Sequence, residues 1–330
     1  MMSTELPFGV TFADLPEYDL AQIRKANAKD WIDKLREKRW YYVGVFHPEV
    51  FVGVAIIRVG PLASAFAYAF DRKEKSLFGH NMLGFPVQVR FDLDPCYGWL
   101  KFRAFRGSIT IQPRQSDGFR RLTTALTFPN TSLDVQLNYG WSDHIPQALC
   151  LLAALANDRF AFTRKMVGHE VSGHIRFPGR QIEISPGDAV AVEDWTIGFH
   201  PRETFWNWAT GAGVDQCGRT VSFNFSGGVY TVGEGENVVW LDGVPRLFGP
   251  VRFVYNPSKP LKTWRITAQD GSVEMLFTPE GLRRADQDYI LVASRFVQVF
   301  GQFTGTFIID GERIQFQNAN GVVEEHFARW

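Results

Sequence analysis

Val171-Ser172-Gly173-His174-Ile175-Arg176-Phe177-Pro178-Gly179 and, far along the same chain, Phe303-Thr304-Gly305-Thr306-Phe307-Ile308-Ile309-Asp310-Gly311 carry one pattern twice. In each, two glycines six apart bracket an alternating run. An alternating strand then follows, Ile182-Glu183-Ile184 in one copy and Ile314-Gln315-Phe316 in the other. Alternation places successive side chains on opposite faces of a strand, and a Gly-containing turn between two such runs reads as a hairpin. After a one-residue slip the match resumes, with Val192-Glu193-Asp194-Trp195 facing Val323-Glu324-Glu325-His326. Self-similarity of this length and order is the mark of an internal duplication.

A second register lies upstream of the first. Trp40-Tyr41-Tyr42 resembles Trp206-Asn207-Trp208. Each is followed by a turn and an alternating strand, Val50–Ile56 or Thr220–Phe225, and then by an aromatic strand ending in Asp, Phe66–Asp71 or Asn237–Asp242. The reading divides the chain into an arm over residues 1–37, a first unit over 38–200 that carries insertions, and a second unit over 201–330. Residues 19–37 are the clearest helix candidate, because Leu20, Ile23, Trp31, Ile32 and Leu35 fall near helical spacing without an intervening Pro or Gly. From Trp40 onward the chain is a series of short runs at strand-plus-turn intervals: Tyr41–Phe46, Phe51–Val59, Ala65–Phe70, Val87–Leu93, Leu100–Phe105 and Ser108–Ile111. Leu149–Ala156 reads either as a short helix or as a strand turning at Asn157-Asp158 into Arg159–Lys165, and the strand pair is the preferred reading. Meandering antiparallel strands expose edges that closure removes, so each unit is expected to curl into a barrel. A barrel of about eight strands can hold one small ligand.

Composition narrows the function. The 330 residues are 45% hydrophobic and 15% aromatic, with 29 Phe and 10 Trp, a load that suits strands and apolar pockets. Lys plus Arg and Asp plus Glu are each 35, with no basic stripe, which argues against nucleic acid as a partner. Cys96, Cys150 and Cys217 show neither a disulfide framework nor a zinc spacing. The start, Met1-Met2-Ser3-Thr4-Glu5-Leu6-Pro7, lacks the basic and apolar regions of a signal peptide. The longest apolar run, Ala148–Ala156, is too short to span a bilayer, so a cytoplasmic location is the default expectation.

Several segments resemble a known family. They are Arg159-Phe160-Ala161-Phe162-Thr163-Arg164-Lys165; Asp194-Trp195-Thr196-Ile197-Gly198 with Pro201-Arg202-Glu203-Thr204-Phe205-Trp206-Asn207-Trp208; Gly218-Arg219, Asn224 and Glu236-Asn237; Gln298-Val299-Phe300-Gly301 and Gly305; and Glu324-Glu325-His326-Phe327-Ala328-Arg329-Trp330. Together they are similar to the signatures of the domain-of-unknown-function 2804 family along nearly the whole chain. More distantly, Gly187…Asp194 followed by Trp206-Asn207-Trp208 is similar to a signature of carotenoid hydratase-like proteins. Those proteins share a tandem lipocalin-like fold with AttH-type lipoproteins and certain fungal Diels–Alderases. The resemblance implies an all-β fold of two tandem lipocalin-like (calycin-type) antiparallel barrels and a hydrophobic ligand. Trp195 stands where the hydratase signature has His, and no Glu follows it, so the chain departs from that pattern, which counts against carotenoid hydratase activity as such if that His takes part in hydration.

The residues themselves suggest a site. On a strand, Val190, Val192 and Asp194 share one face, and Ala191, Glu193 and Trp195 the other. An apolar face ending in a carboxylate can raise that carboxyl's pKa until it donates a proton near neutral pH. The alternative is an ion pair, with Arg202 for Asp194 and Arg329 for Glu325. Trp206 and Trp208 share a face with Asn207 opposite. Indole faces stabilise cations, although a Trp can also simply plug a barrel end. Asn224 and Asn237 could bind a ligand's polar group or satisfy backbone at bends. His200 and His326, each trailing an acidic pair, could relay protons. The other histidines, His47, His80, His144, His169 and His174, form no HxH or HExxH, and no metal or other cofactor is expected. No GxSxG is present, and Gly227-Gly228…Gly233-Glu234-Gly235 reads as a hairpin turn rather than a phosphate loop.

The expectation is a binder of a hydrophobic small molecule (terpenoid, polyene or fatty acyl) in a barrel pocket. It would hydrate, dehydrate, isomerise or cyclise that molecule at a double bond by acid catalysis; the alternative is a carrier without turnover. Asp194, His200 and Asn224 are the candidate catalytic residues. Trp195, Trp206, Trp208, Trp240, Glu325 and His326 are the candidate ligand contacts. Oligomeric state is not legible in the sequence.

Overall fold

The computed structural model describes residues 8–13, 19–27, 31–141, 147–155, 159–230, 235–289 and 292–330. Helix occupies Leu20–Asn27 and Trp31–Arg36, within the stretch expected to be helical, and residues 28–30 between them lie outside the described set. The expected turn at Asn157-Asp158 and the Gly233-Glu234 pair also fall outside it. Among the described residues no helix is long and apolar enough to cross a membrane.

Everything else of note is antiparallel sheet. A 14-stranded sheet runs, along its main path, through Ser76–Gly84, Leu62–Asp71, Val50–Val59, Lys38–Phe46, Val190–Gly198, Arg159–Phe177, Leu133–Gly140, Phe119–Leu126, Gly107–Ile111, Leu100–Ala104 and Val89–Phe91. A 9-stranded sheet runs through Val244–Leu247, Val238–Leu241, Thr220–Gly227, Glu203–Val214, Glu312–Arg329, Val292–Ile309, Val273–Tyr289, Trp264–Ala268 and Val251–Val254. Strand for strand, the second order repeats the first. The first adds two strands at one end, and Leu149–Leu155 pairs with Arg159–Phe177 in the expected hairpin, Leu155 opposite Arg159 and Leu149 opposite Lys165.

The two opening segments occupy equivalent places in these sheets. Gly173 lies opposite Ile184 and Phe177 opposite Arg180; Gly305 lies opposite Phe316 and Ile309 opposite Glu312. The turns between them use left-handed backbone at Gly179 (φ 78°) and Gly311 (φ 83°), which glycine adopts without steric cost. Gly173 itself (φ 128°) brings its backbone so close to the neighbouring strand that an added Cβ would sit 2.1 Å from the carbonyl oxygen of Gln136.

Both sheets curl around packed interiors. The first encloses Tyr41, Phe102, Tyr139, Phe162 and Trp195, and the second Phe223, Trp264, Phe277, Phe303 and Phe307. The first interior also holds a charged knot. Glu193, 2% exposed, accepts from Tyr41 at 2.8 Å, Arg164 at 3.1 Å and Arg120 at 3.3 Å. Burial alone would raise its pKa, but Arg164, His169 and Arg120 outweigh that and hold the carboxyl well below the usual range. A third apolar cluster lies where the barrels meet. It includes Tyr42, Phe51, Phe66, Tyr68 and Val192 from the first sheet and Trp208, Trp240, Phe300 and Val322 from the second. Strands such as Val190–Gly198 are therefore buried on both faces, one toward their own barrel and one toward the other.

Candidate functional site

The cavity expected inside a barrel lies instead between the two. It has a volume of about 150 Å³ and takes its walls from both sheets: Trp40, Tyr42 and Phe66 on one side, Trp206, Trp208 and Phe296 on the other. Inward positions of each barrel carry large side chains that fill it, so the open space is left where two outer aromatic faces meet. Exposed Asn81 and Leu83 border it and mark its mouth.

The deep wall repeats one arrangement about the junction. On the strand Lys38–Phe46, Trp40 donates its Nε1 proton to Asp194 Oδ2 at 3.2 Å; on Glu203–Val214, Trp206 donates to Glu324 Oε1 at 2.9 Å. The two indoles stack across the junction, centroids 6.1 Å apart and 9° from parallel. Two residues along each strand, on the same face, Tyr42 and Trp208 meet edge to face at 5.6 Å. Asp194 lies opposite Tyr42 in its ladder and Glu324 opposite Trp208 in the other. Glu324, and not Glu325, is thus the structural counterpart of Asp194.

Their surroundings separate the two acids. Asp194 Oδ2 pairs with Lys165 Nζ at 2.8 Å, and its Oδ1 accepts from Thr196 at 3.0 Å. The cation facing Asp194 is therefore Lys165, and Arg202, offered as its partner by proximity in sequence, is exposed. Lys165 also reaches Glu236 at 3.5 Å. Although burial works against its charge, these two carboxylates hold its ammonium above the ordinary range. Across the junction Glu324 forms no salt bridge with a Lys or Arg among the described residues, and Lys165 lowers its pKa only at longer range. Its Oε2 accepts only from the neutral Gln298 amide at 3.2 Å, and burial pushes its pKa up to about 7. Burial likewise raises Glu236 to about 6. From Glu324 a polar chain runs back to the cavity wall: Gln298 accepts from Tyr68, whose hydroxyl lies 3.3 Å from that of Tyr42.

Of the residues singled out in the sequence, Asp194, Trp206, Trp208 and His326 line this cavity. His326 Nε2 lies 2.8 Å from Ser294 Oγ, and burial together with Arg283 depresses its pKa, leaving a neutral imidazole. The remaining candidates lie elsewhere. His200, 2% exposed, packs behind Trp40 at 5.1 Å with neither ring nitrogen hydrogen-bonded among the described residues, and burial lowers its pKa to about 3. Asn224, buried, accepts from Trp208 Nε1 at 2.7 Å and donates to the Glu236 carbonyl at 2.7 Å, so it holds the indole in place behind the cavity wall. Trp195 sits in the first barrel's core against Phe91 and Phe162. Trp240 joins the barrels by donating to the Gln147 carbonyl at 2.8 Å. Glu325 turns into the second barrel, where Tyr255 donates to it. Asn237 bonds Ser226 N and the Gly249 carbonyl, a bend-satisfying role. Among the described residues no group of three His, Cys, Asp or Glu side chains converges for a metal.

The sequence reading did not single out Trp40, Lys165 or Arg283 as site residues. Arg283 lies 7% exposed at the cavity, with its guanidinium 3.9 Å above the Phe66 ring.

The model of the domain-of-unknown-function family DUF2804 matches residues 4–330. No curated protein matches the sequence. Among solved structures, an AttH-type protein from Nitrosomonas europaea is similar at a TM-score of 0.53 and 18% identity, over 95% of this chain and 98% of that one. Kievitone hydratase from Nectria haematococca is similar at 0.57 and 10% identity, over 87% and 88%. CghA with Sch210972 is similar at 0.50 and 11% identity, over 88% and 87%. At these identities the likeness is one of fold, and the fold is the AttH-type tandem lipocalin-like one.

Proposed function

The chain belongs to the DUF2804 family, and we propose that it binds a hydrophobic small molecule of terpenoid, polyene or fatty acyl type between its barrels and protonates a double bond of it. The observation that carries this reading is Glu324: a carboxyl pushed up to about 7, with no salt-bridged Lys or Arg among the described residues, on the wall of an aromatic cavity. A general acid works best with a pKa near the ambient pH and contributes about 10²–10⁴-fold in rate. Glu324 takes the role that sequence reasoning gave to Asp194, since Asp194 is engaged with Lys165. Proton transfer to one alkene carbon leaves a cation on the other, and the faces of Trp40, Trp206 and Trp208 are the groups that would stabilise it. Capture of that cation by water, with the surplus proton returned to the Glu324 carboxylate, is hydration; loss of a neighbouring proton to the same carboxylate is isomerisation; and attack by a second double bond followed by such a proton loss is cyclisation. Hydratase activity in a protein of the same fold, kievitone hydratase, is consistent with this chemistry.

The second reading, a carrier without turnover, is favoured by the Lys165–Asp194 pair, which leaves half of the repeated acid arrangement engaged in an ion pair. We place the division between the units at residues 200 and 201, and the protein in the cytoplasm.

Mass spectrometry of compounds extracted from the purified wild-type and Glu324→Gln proteins tests the choice. An enzyme leaves product in the wild type and its precursor in the variant, differing by one water or isobaric. The same compound in both supports the carrier, and no recovered apolar compound in either contradicts the binding reading.

A further inference from the structure

Arg283 is a buried cation with no salt-bridged carboxylate among the described residues; Glu324 acts on it only at longer range. Its Nη2 donates to Asn81 Oδ1 at the cavity mouth, while Nη1 finds no hydrogen-bond partner among the described residues. No carboxylate among the described residues forms a salt bridge with it, whereas the cavity's other cation, Lys165, touches both Asp194 and Glu236. The guanidinium is held between rings, 3.9 Å from the Phe66 centroid and 4.9 Å from that of Phe296. Two flanking rings and the bond to Asn81 fix the plane of the fork beside the cavity, which Arg283 lines. A buried donor left unmatched is costly, and an uncompensated buried charge more so; a guanidinium is the side chain best shaped to meet a planar oxyanion. Nearby Ser294, also on the wall, offers its hydroxyl, with His326 fixed beside it at 2.8 Å.

We propose that the ligand is an apolar molecule bearing one oxyanion, such as a carboxylate, which the Arg283 guanidinium binds near the mouth while the hydrocarbon body lies against Trp206, Trp208 and Phe66. This rests on the apolar-pocket reading above and adds polarity and direction to it. The headgroup lies by Asn81, and the chain runs inward toward Glu324. Neutral terpenes and hydrocarbons are disfavoured, because they would offer the guanidinium charge no anion in a site they have dried.

The test uses parinaric acid, a fluorescent polyene fatty acid, and its methyl ester, which has the same body without the charge. Saturable quenching of tryptophan fluorescence in the full-length protein reports binding of each. The acid is expected to bind about 10- to 100-fold more tightly than the ester, the range for a hydrogen bond to a charged group. Arg283→Met should erase that preference while leaving the ester's affinity and the melting temperature unchanged or raised. Should the Met variant not fold, Arg283→Gln supplies the neutral comparison. Equal binding of acid and ester in the wild type overturns the oxyanion assignment but leaves the pocket reading standing. A preference that survives in Arg283→Met overturns it too, by placing the anion on another cation. A lowered melting temperature with an unchanged acid-to-ester ratio assigns Arg283 a structural role only. If neither probe quenches saturably, the pocket reading fails and this inference with it.

Discussion

Replacing Glu324 with Gln should change how stability depends on pH, by an amount that the site itself sets. Burial raises the folded carboxyl to about 7, against about 4.3 in an unfolded chain. The folded state therefore holds a proton that the unfolded state has released, and stability from this group is present at low pH and lost as pH rises through 7. Between about pH 5 and about pH 8 the loss amounts to about 2–3 kcal/mol. Gln does not titrate, and the site can accept it. Its carbonyl can still accept from Trp206. Its amide then faces Gln298, which can flip to accept, and the Tyr68 and Tyr42 hydroxyls can reverse along the chain they already form. Urea unfolding of wild type and variant at both pH values gives the double difference directly. Glu236, raised to about 6 by burial, contributes equally to both proteins and cancels. Equal pH slopes in the two proteins would refute the claim that Glu324 is the raised acid. A slope of opposite sign would mean that a cation reaches it in solution.

Other perturbations separate structural charges from the site. Glu193→Gln leaves Arg120 and Arg164 facing a neutral amide in the first barrel, and thermal melts should show a loss of about 3–5 kcal/mol. Asp194→Asn should cost less, since Lys165 keeps Glu236, whereas Lys165→Met should lower stability at pH 7 by leaving two buried carboxylates unpaired. Gly173→Ala, with a Cβ driven against the Gln136 carbonyl, should destabilise by about 2–3 kcal/mol, against about 1 kcal/mol for Gly179→Ala, where space is open; chemical denaturation resolves the two. The Trp40–Trp206 stack should give a near-ultraviolet circular dichroism couplet that disappears in either Trp→Phe variant, and its persistence in both would place the indoles apart. If the protein turns over a substrate, its rate should fall as pH rises above about 7, because the acid form of Glu324 is the donor.

Local pattern carried the fold a long way. The twice-repeated hairpin, the opposite faces of Asp194 and Glu193, and the shared face of Trp206 and Trp208 all follow from period-two alternation, which needs no knowledge of distant contacts. Pairing the two acids across the units was harder. A one-residue slip turns a strand's side chains over, and the ladders themselves shift at Val167/His169 and at Phe303/Gly305. The sequence match aligned Asp194 with Glu325, while the ladder sets Asp194 against Glu324. Arg283 lay in an exposed-looking Arg283-Arg284 pair, and the irregularity at Pro279/Gly281 decides which of the two faces the cavity. The cavity itself arises from the packing of two outer faces, an association between residues far apart in sequence that no local period encodes.

The central claim, that an apolar ligand occupies the junction between the barrels, is tested most directly by a crystal structure of the protein with parinaric acid. Hydrocarbon density against Trp206, Trp208 and Phe66, within reach of Glu324, is the expected result. Density inside either barrel, among Phe223 and Phe303 or Phe102 and Phe162, would contradict the account.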